Sequence, residues 1–109
     1  MTPINNLALE TIKSELCQRG IGLKKVILFG SRAKGDAVPD SDWDFLVVID
    51  REIEPRAKRE LIGEIKVRLA EQKIPNDLFI QSAAQLETQK NDVGLITYYA
   101  LKYGVELSL

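Results

Sequence analysis

The chain of 109 residues contains no histidine. That absence removes a Ser-His-Asp triad, a Cys-His pair and any zinc site built on imidazole. A metal centre would have to be made from oxygen ligands, which suits magnesium or calcium rather than zinc. Cysteine occurs once, at Cys17, so no disulfide can close within the chain and a reducing compartment is the simpler expectation. Cys17 follows an apolar helix position, Leu16, and no base can be named to activate it, so it reads as a structural or surface residue. Neither sign of charge is in excess: 15 Lys and Arg stand against 16 Asp and Glu, a net charge of −1. A general nucleic-acid binder carries a basic surplus, so direct nucleic-acid binding is not expected, and nothing calls for an anionic membrane surface. No apolar run approaches the roughly 18 residues of a membrane span. Met1 to Glu10 has neither a basic n-region nor a long apolar h-region, so the expected location is the cytoplasm.

What remains is an ordinary globular composition, 45% hydrophobic and 28% charged, without repeats, low-complexity tracts or linkers. One domain over residues 1–109 is expected, with a modest core and no room for a separate substrate domain. Helical and strand patterns alternate. Asn5 or Asn6 can cap a helix running to about Arg19, with Leu9, Ile12 and Leu16 at helical spacing and Gly20 as its stop. Lys24 to Phe29 and Trp43 to Ile49 are short apolar runs that read as buried strands. A helical turn over Ser31 to Gly35 and a loop over Ala37 to Ser41 lie between them. Pro55 opens a long helix ending near Lys73, with Leu61, Ile62, Ile65 and Leu69 in one stripe and its charges, including a Glu64/Arg68 pair, on solvated faces. Asp77 to Gln81 is a third strand, and Ser82 to Gln85 has the form of a capping box starting another helix. Leu95 to Tyr103 is a last helix, and Val105 to Leu109 is either an edge strand or an extended tail. Its tyrosines, Tyr98, Tyr99 and Tyr103, read more simply as packing residues than as an aromatic contact surface.

Chemistry concentrates between Gly30 and Asp44. Gly30-Ser31 follows a strand and precedes a helical turn, a place where backbone N–H groups and a hydroxyl can receive a phosphate, with Arg32 and Lys34 adding positive charge. Asp42 and Asp44 are two residues apart at the head of a strand, so their carboxylates share a face while Trp43 takes the other. Two like charges side by side call for a cation between them, and magnesium suits a phosphate substrate. Asp77 heads the next strand. Each feature alone has a plainer reading: a tight turn with a capping serine, a pair of solvated acids, a turn aspartate. Their combination changes the weighing, because three strands of one sheet can bring the carboxylates together, and three carboxylates suit two-metal nucleotidyl transfer.

Gly30-Ser31-Arg32-Ala33, Ser41-Asp42-Trp43-Asp44 and the later Asp77 resemble the motifs of the DNA polymerase beta-type nucleotidyltransferase superfamily. They are most similar to those of its small prokaryotic branch, the minimal nucleotidyltransferases of MntA-like antitoxin type, and the resemblance spans essentially the whole chain. It implies an α+β domain, a mixed sheet of three or four strands with helices on one side. It also implies two Mg ions bridging the protein and ATP. Asp42 and Asp44 would hold both ions, while Asp77 would hold the one that activates the acceptor and could serve as general base. Gly30 and Ser31 would bind the β- and γ-phosphates with help from Arg32. The implied partner is a helical HEPN-domain toxin, and the implied reaction is adenylylation of a tyrosine on it. Two alternatives stay open: an antitoxin that neutralises its partner by binding alone, and a nucleotidyltransferase acting on a small-molecule hydroxyl.

Overall fold

The computed structural model describes residues 3–108. Met1, Thr2 and Leu109 lie outside the described residues, and with them the first residues searched for a leader and the last residue of the expected tail. Proline fixes φ near its helical value and has no N–H to leave unpaired in a first turn. Helix α1 (Pro3–Gln18) is already helical at Pro3, ahead of the cap expected at Asn5 or Asn6, and Asn5 lies buried within it. Ala8, Leu9, Ile12 and Leu16 form its buried stripe, and Cys17 is exposed. The helix closes where Gly20 takes φ 68°, with Ile21 N–H donating to the Leu16 carbonyl and Gly20 N–H to that of Cys17.

Helix α3 (Pro55–Glu71) closes by the same pair of bonds, Ile74 to Leu69 at 3.0 Å and Lys73 to Ala70 at 2.9 Å, but here a lysine holds the left-handed position at φ 63°. A side chain there costs about 1–2 kcal/mol, partly offset in glycine by the greater freedom of its unfolded chain. Lys73→Gly is expected to raise stability by about 0.5–1 kcal/mol, read as a higher urea midpoint at unchanged slope.

The apolar runs become β1 (Leu23–Phe29), β2 (Trp43–Ile49) and β3 (Asn76–Ser82), and the C-terminal segment supplies the edge strand β4 (Val105–Leu107). The sheet order is β3-β2-β1-β4. β1 is antiparallel to both β2 and β4, while β2 and β3 are parallel and joined through α3. The α+β architecture is the one expected, with one correction. Helices α1 and α3 cover one face, but α4 (Ala83–Gln89) and α5 (Ile96–Tyr103) pack on the other, with Leu86 and Ala100 against Ile27, Leu46 and Val48. The reason is in β2: beyond Asp44 it is apolar on both faces, Phe45, Val47 and Ile49 on one and Leu46 and Val48 on the other, so both need cover. Ser82 caps α4 by accepting the Gln85 N–H, as the capping box predicts.

The two long helices are also tied by polar contacts. Buried Glu15 of α1 receives Arg68 of α3 at 2.8 Å, and Gln72 donates to Thr11 at 2.9 Å. Arg68 thus turns to Glu15 rather than to Glu64, its neighbour by helical spacing; a buried partner on another helix outweighs a solvated one on the same helix. Among the described residues no helix is long and apolar enough to cross a membrane.

Candidate active site

The parallel β2–β3 pairing sets Asp44 opposite Asp77, and the antiparallel β1–β2 pairing sets Phe29 opposite Asp44. Phe29, Asp44 and Asp77 therefore form one row across the sheet. Strand alternation sends the Asp44 and Asp77 side chains to the face that carries Leu46 and Phe79, while Trp43 is buried on the other face, as expected. Asp42 is exposed just before β2. The fold thus gathers at one corner the three aspartates that sequence spacing singled out.

Asp44 is the most enclosed of them. Its carboxyl is pushed above the ordinary carboxylate range by burial first, then by the negative charge of Asp77 and of Asp42. Asp77 is exposed on the edge strand, with Lys66 of α3 lying 3.5 Å from its Oδ1. Among the described residues no three acidic side chains stand close enough to cage an ion by themselves. Magnesium is commonly held by one or two carboxylates and completed by substrate phosphates and water. The donor set is all oxygen, and Asp44 carries repulsion that a cation would relieve, so the residues present fit such an ion.

Gly30 follows Phe29 of that row, between β1 and the short helix α2 (Ser31–Lys34). Its φ of 74° and ψ of −157° belong to a region that essentially only glycine occupies, and a β-carbon there would run into the Asp44 carboxylate. The phosphate turn and the carboxylate site are therefore in direct contact. Ser31 opens α2, whose Ala33 and Lys34 N–H groups return to the Gly30 carbonyl. Arg32 is tied to the loop before β2. Its guanidinium donates to the carbonyls of Ser41 (2.8 and 3.2 Å) and Pro39 (3.2 Å) and lies 4.6 Å from the centre of the Trp43 ring. It braces the loop that delivers Asp42.

Two neighbours escaped the sequence reading. Lys66 looked like part of a solvated helix face, yet the crossover through α3 brings it level with the start of β3. The tyrosines of α5 were read as packing residues, but Tyr99 and Tyr103 are 52% and 49% exposed and stack on each other, and the Lys34 ammonium lies 5.6 Å from the Tyr103 ring. Only the spacing of Tyr99 and Tyr103, one helical turn apart and away from buried Ala100, signals a surface pair. A groove of about 850 Å³ runs between Cys17 and Arg51 at the opposite end of the sheet and includes none of these residues.

The model of the nucleotidyltransferase domain family matches residues 9–101, a span that takes in Gly30, Ser31, Asp42, Asp44 and Asp77. The chain belongs to that family. No protein of curated function matches the sequence. Among solved structures, this nucleotidyltransferase domain is similar in fold to a toxin-antitoxin determined with AMP-PNP, at 21% identity and a TM-score of 0.60, over 91% of this chain and 71% of that one. It is also similar to a mutant of the toxin-antitoxin MntA-HpeT with two aspartates changed to glutamate, at 17% identity and a TM-score of 0.62, over 95% and 72% of the two chains. A third match is a tyrosine-to-alanine mutant of MntA-HpeT, at 20% identity and a TM-score of 0.55, over 91% and 70%.

Proposed function

We propose that this nucleotidyltransferase domain moves AMP from Mg-ATP to a hydroxyl, in the first place a tyrosine, of a helical HEPN-type toxin, and so acts as its antitoxin. The observation that carries the reading is the contact of Gly30 with Asp44 in the row that also holds Asp77, which joins a phosphate turn to a carboxylate site. The similar structures support it further. One holds AMP-PNP, an ATP analogue, and another carries glutamates at two aspartates two positions apart, the spacing of Asp42 and Asp44.

On this reading Gly30 and Ser31 receive the β- and γ-phosphates on backbone N–H groups and the serine hydroxyl. Arg32 keeps the Asp42 loop in place through the Ser41 carbonyl. Two magnesium ions held by Asp42, Asp44 and Asp77 would neutralise charge at the entering and leaving oxygens. The acceptor oxygen attacks the α-phosphorus in line and gives its proton to Asp77. The bond to the β-phosphate oxygen breaks, and pyrophosphate leaves with the electron pair.

The test is label transfer from ATP marked at the α-phosphate, with magnesium and the protein encoded by the adjacent gene. Label is expected on that protein, and none from ATP marked at the γ-phosphate. Absence of α-label on the partner in a complex that still forms would replace this reading with neutralisation by binding alone.

A further inference from the structure

The face that bears Asp44 and Asp77 continues into a cavity that no motif residue accounts for. It measures about 380 Å³ and lies between Leu46 and Phe79 on the sheet and the segment from Gly94 to Thr97 that leads into α5. Leu46 and Phe79 are paired neighbours in β2 and β3, and Phe79 packs against Phe29 at 6.0 Å. At about 3.3 Å per residue this floor starts about 7 Å from the carboxylate row, on the same face. An offset of that size, one ribose long, separates the α-phosphorus of a nucleotide from its base.

One polar group in the wall is unsatisfied. Gln81 lines the cavity two residues beyond Phe79. Its amide nitrogen donates to Gln89 Oε1 at 2.9 Å, and the same oxygen lies 3.5 Å from the Thr97 hydroxyl. Gln81 is thereby turned with its nitrogen toward Gln89, while its own Oε1 is shut away from water with no hydrogen-bond partner. A buried acceptor without a donor is costly, and a ligand that supplies the donor is favoured over one that does not. Presenting that oxygen to a ligand takes a rotation about the soft terminal amide torsion, away from the bond to Gln89.

We propose that this cavity is the base subsite of the nucleotide and that Gln81 selects adenine over guanine. The ring lies over Phe79 and the aliphatic wall, and Gln81 Oε1 accepts from the exocyclic amine; glutamine is a side chain suited to that edge of adenine. Guanine and uracil bring a carbonyl oxygen where adenine carries its amine, and so leave the acceptor unpaired. The inference rests on the nucleotidyl-transfer reading and adds to it the residue that chooses the base.

Binding of the α,β-methylene analogues of ATP and GTP, with magnesium, tests it by calorimetry. The wild-type chain is expected to hold the ATP analogue at least about tenfold more tightly. Gln81→Met keeps the length but removes the acceptor, and should bring the two within about threefold. Ile96→Trp, at the cavity rim, should weaken the ATP analogue and leave inorganic tripolyphosphate unaffected. Equal binding of the two analogues by wild type overturns the proposal, as does a loss of tripolyphosphate binding in Ile96→Trp matching that of the ATP analogue; either leaves the transfer reading standing. If wild type binds neither analogue nor tripolyphosphate, the transfer reading falls and this inference falls with it. The wild-type comparison requires no variant, so a misfolded substitution cannot leave the matter undecided.

Discussion

Asp44→Asn is expected to lower AMP transfer by on the order of a thousandfold or more, while leaving the chain as stable as wild type or more stable at neutral pH. The two effects have one cause. Asp44 is the most enclosed carboxylate of the site, and its acidity is weakened by burial and by the charges of Asp77 and Asp42. An amide of the same shape removes both the charge that would face the cations and the repulsion it creates without them. The sign with pH follows. A carboxyl whose folded pKa is raised binds its proton more readily in the folded chain. The destabilisation it causes at neutral pH is therefore relieved as pH falls through that raised value, and is gone below the unfolded range near about 3.9. Asp50 and Glu87 act oppositely. Arg51 beside Asp50 and Lys90 beside Glu87 hold those carboxyls low, so their stabilisation is lost on acidification. Those contributions are common to both proteins and cancel in the comparison. Thermal unfolding of wild type and Asp44→Asn from pH 7 to pH 4 should show the variant's advantage shrinking as pH drops. A constant gap, or transfer at the wild-type rate, would take Asp44 out of the role assigned to it.

Much of this arrangement was legible in the sequence because it depends on short-range rules. Strand alternation places Asp44 opposite in face to Trp43, and the strand–Gly–Ser–turn order fixes where the chain reverses beside the carboxylates. Long-range facts were not legible. Nothing local says that Arg68 will meet Glu15 rather than Glu64, because that choice depends on how α1 and α3 lie against the sheet. For the same reason the contacts of Arg32 with the Ser41 carbonyl and the Trp43 ring could not be read from its place beside Ser31. The second helical layer could have been inferred. The unbroken apolar run after Asp44 leaves no polar face on β2, and a strand of that kind must be covered on both sides. Gln81 differs again. Its unpaired oxygen exists only because Gln89 and Thr97, from α4 and α5, meet on that face, a relation no spacing rule encodes.

Gly30→Ala tests whether the phosphate turn and the carboxylates are one device. Two costs are expected. The backbone at φ 74° and ψ −157° lies where a residue with a side chain is strained by about 1–3 kcal/mol. The new methyl would also occupy the space of the Asp44 carboxylate, which must move or rotate. Gly35, at the other end of α2, separates the two. It too has positive φ, 84°, but a β-carbon there meets nothing within 4 Å. Gly35→Ala should therefore lose about 1 kcal/mol of stability and keep transfer near wild type. Gly30→Ala should lose more stability, about 2–3 kcal/mol, and at least about a hundredfold in transfer, since displacement of a reacting-site group by about 1 Å is worth that much. Urea unfolding and α-label transfer on the two variants read both quantities. If both alanines reduce transfer to the same small extent, the glycine serves the turn alone, and Asp44 does not depend on it for position. If only Gly30→Ala removes activity, the glycine sets the place of the carboxylate, and the Gly-Ser and Asp-x-Asp segments form a single structural unit.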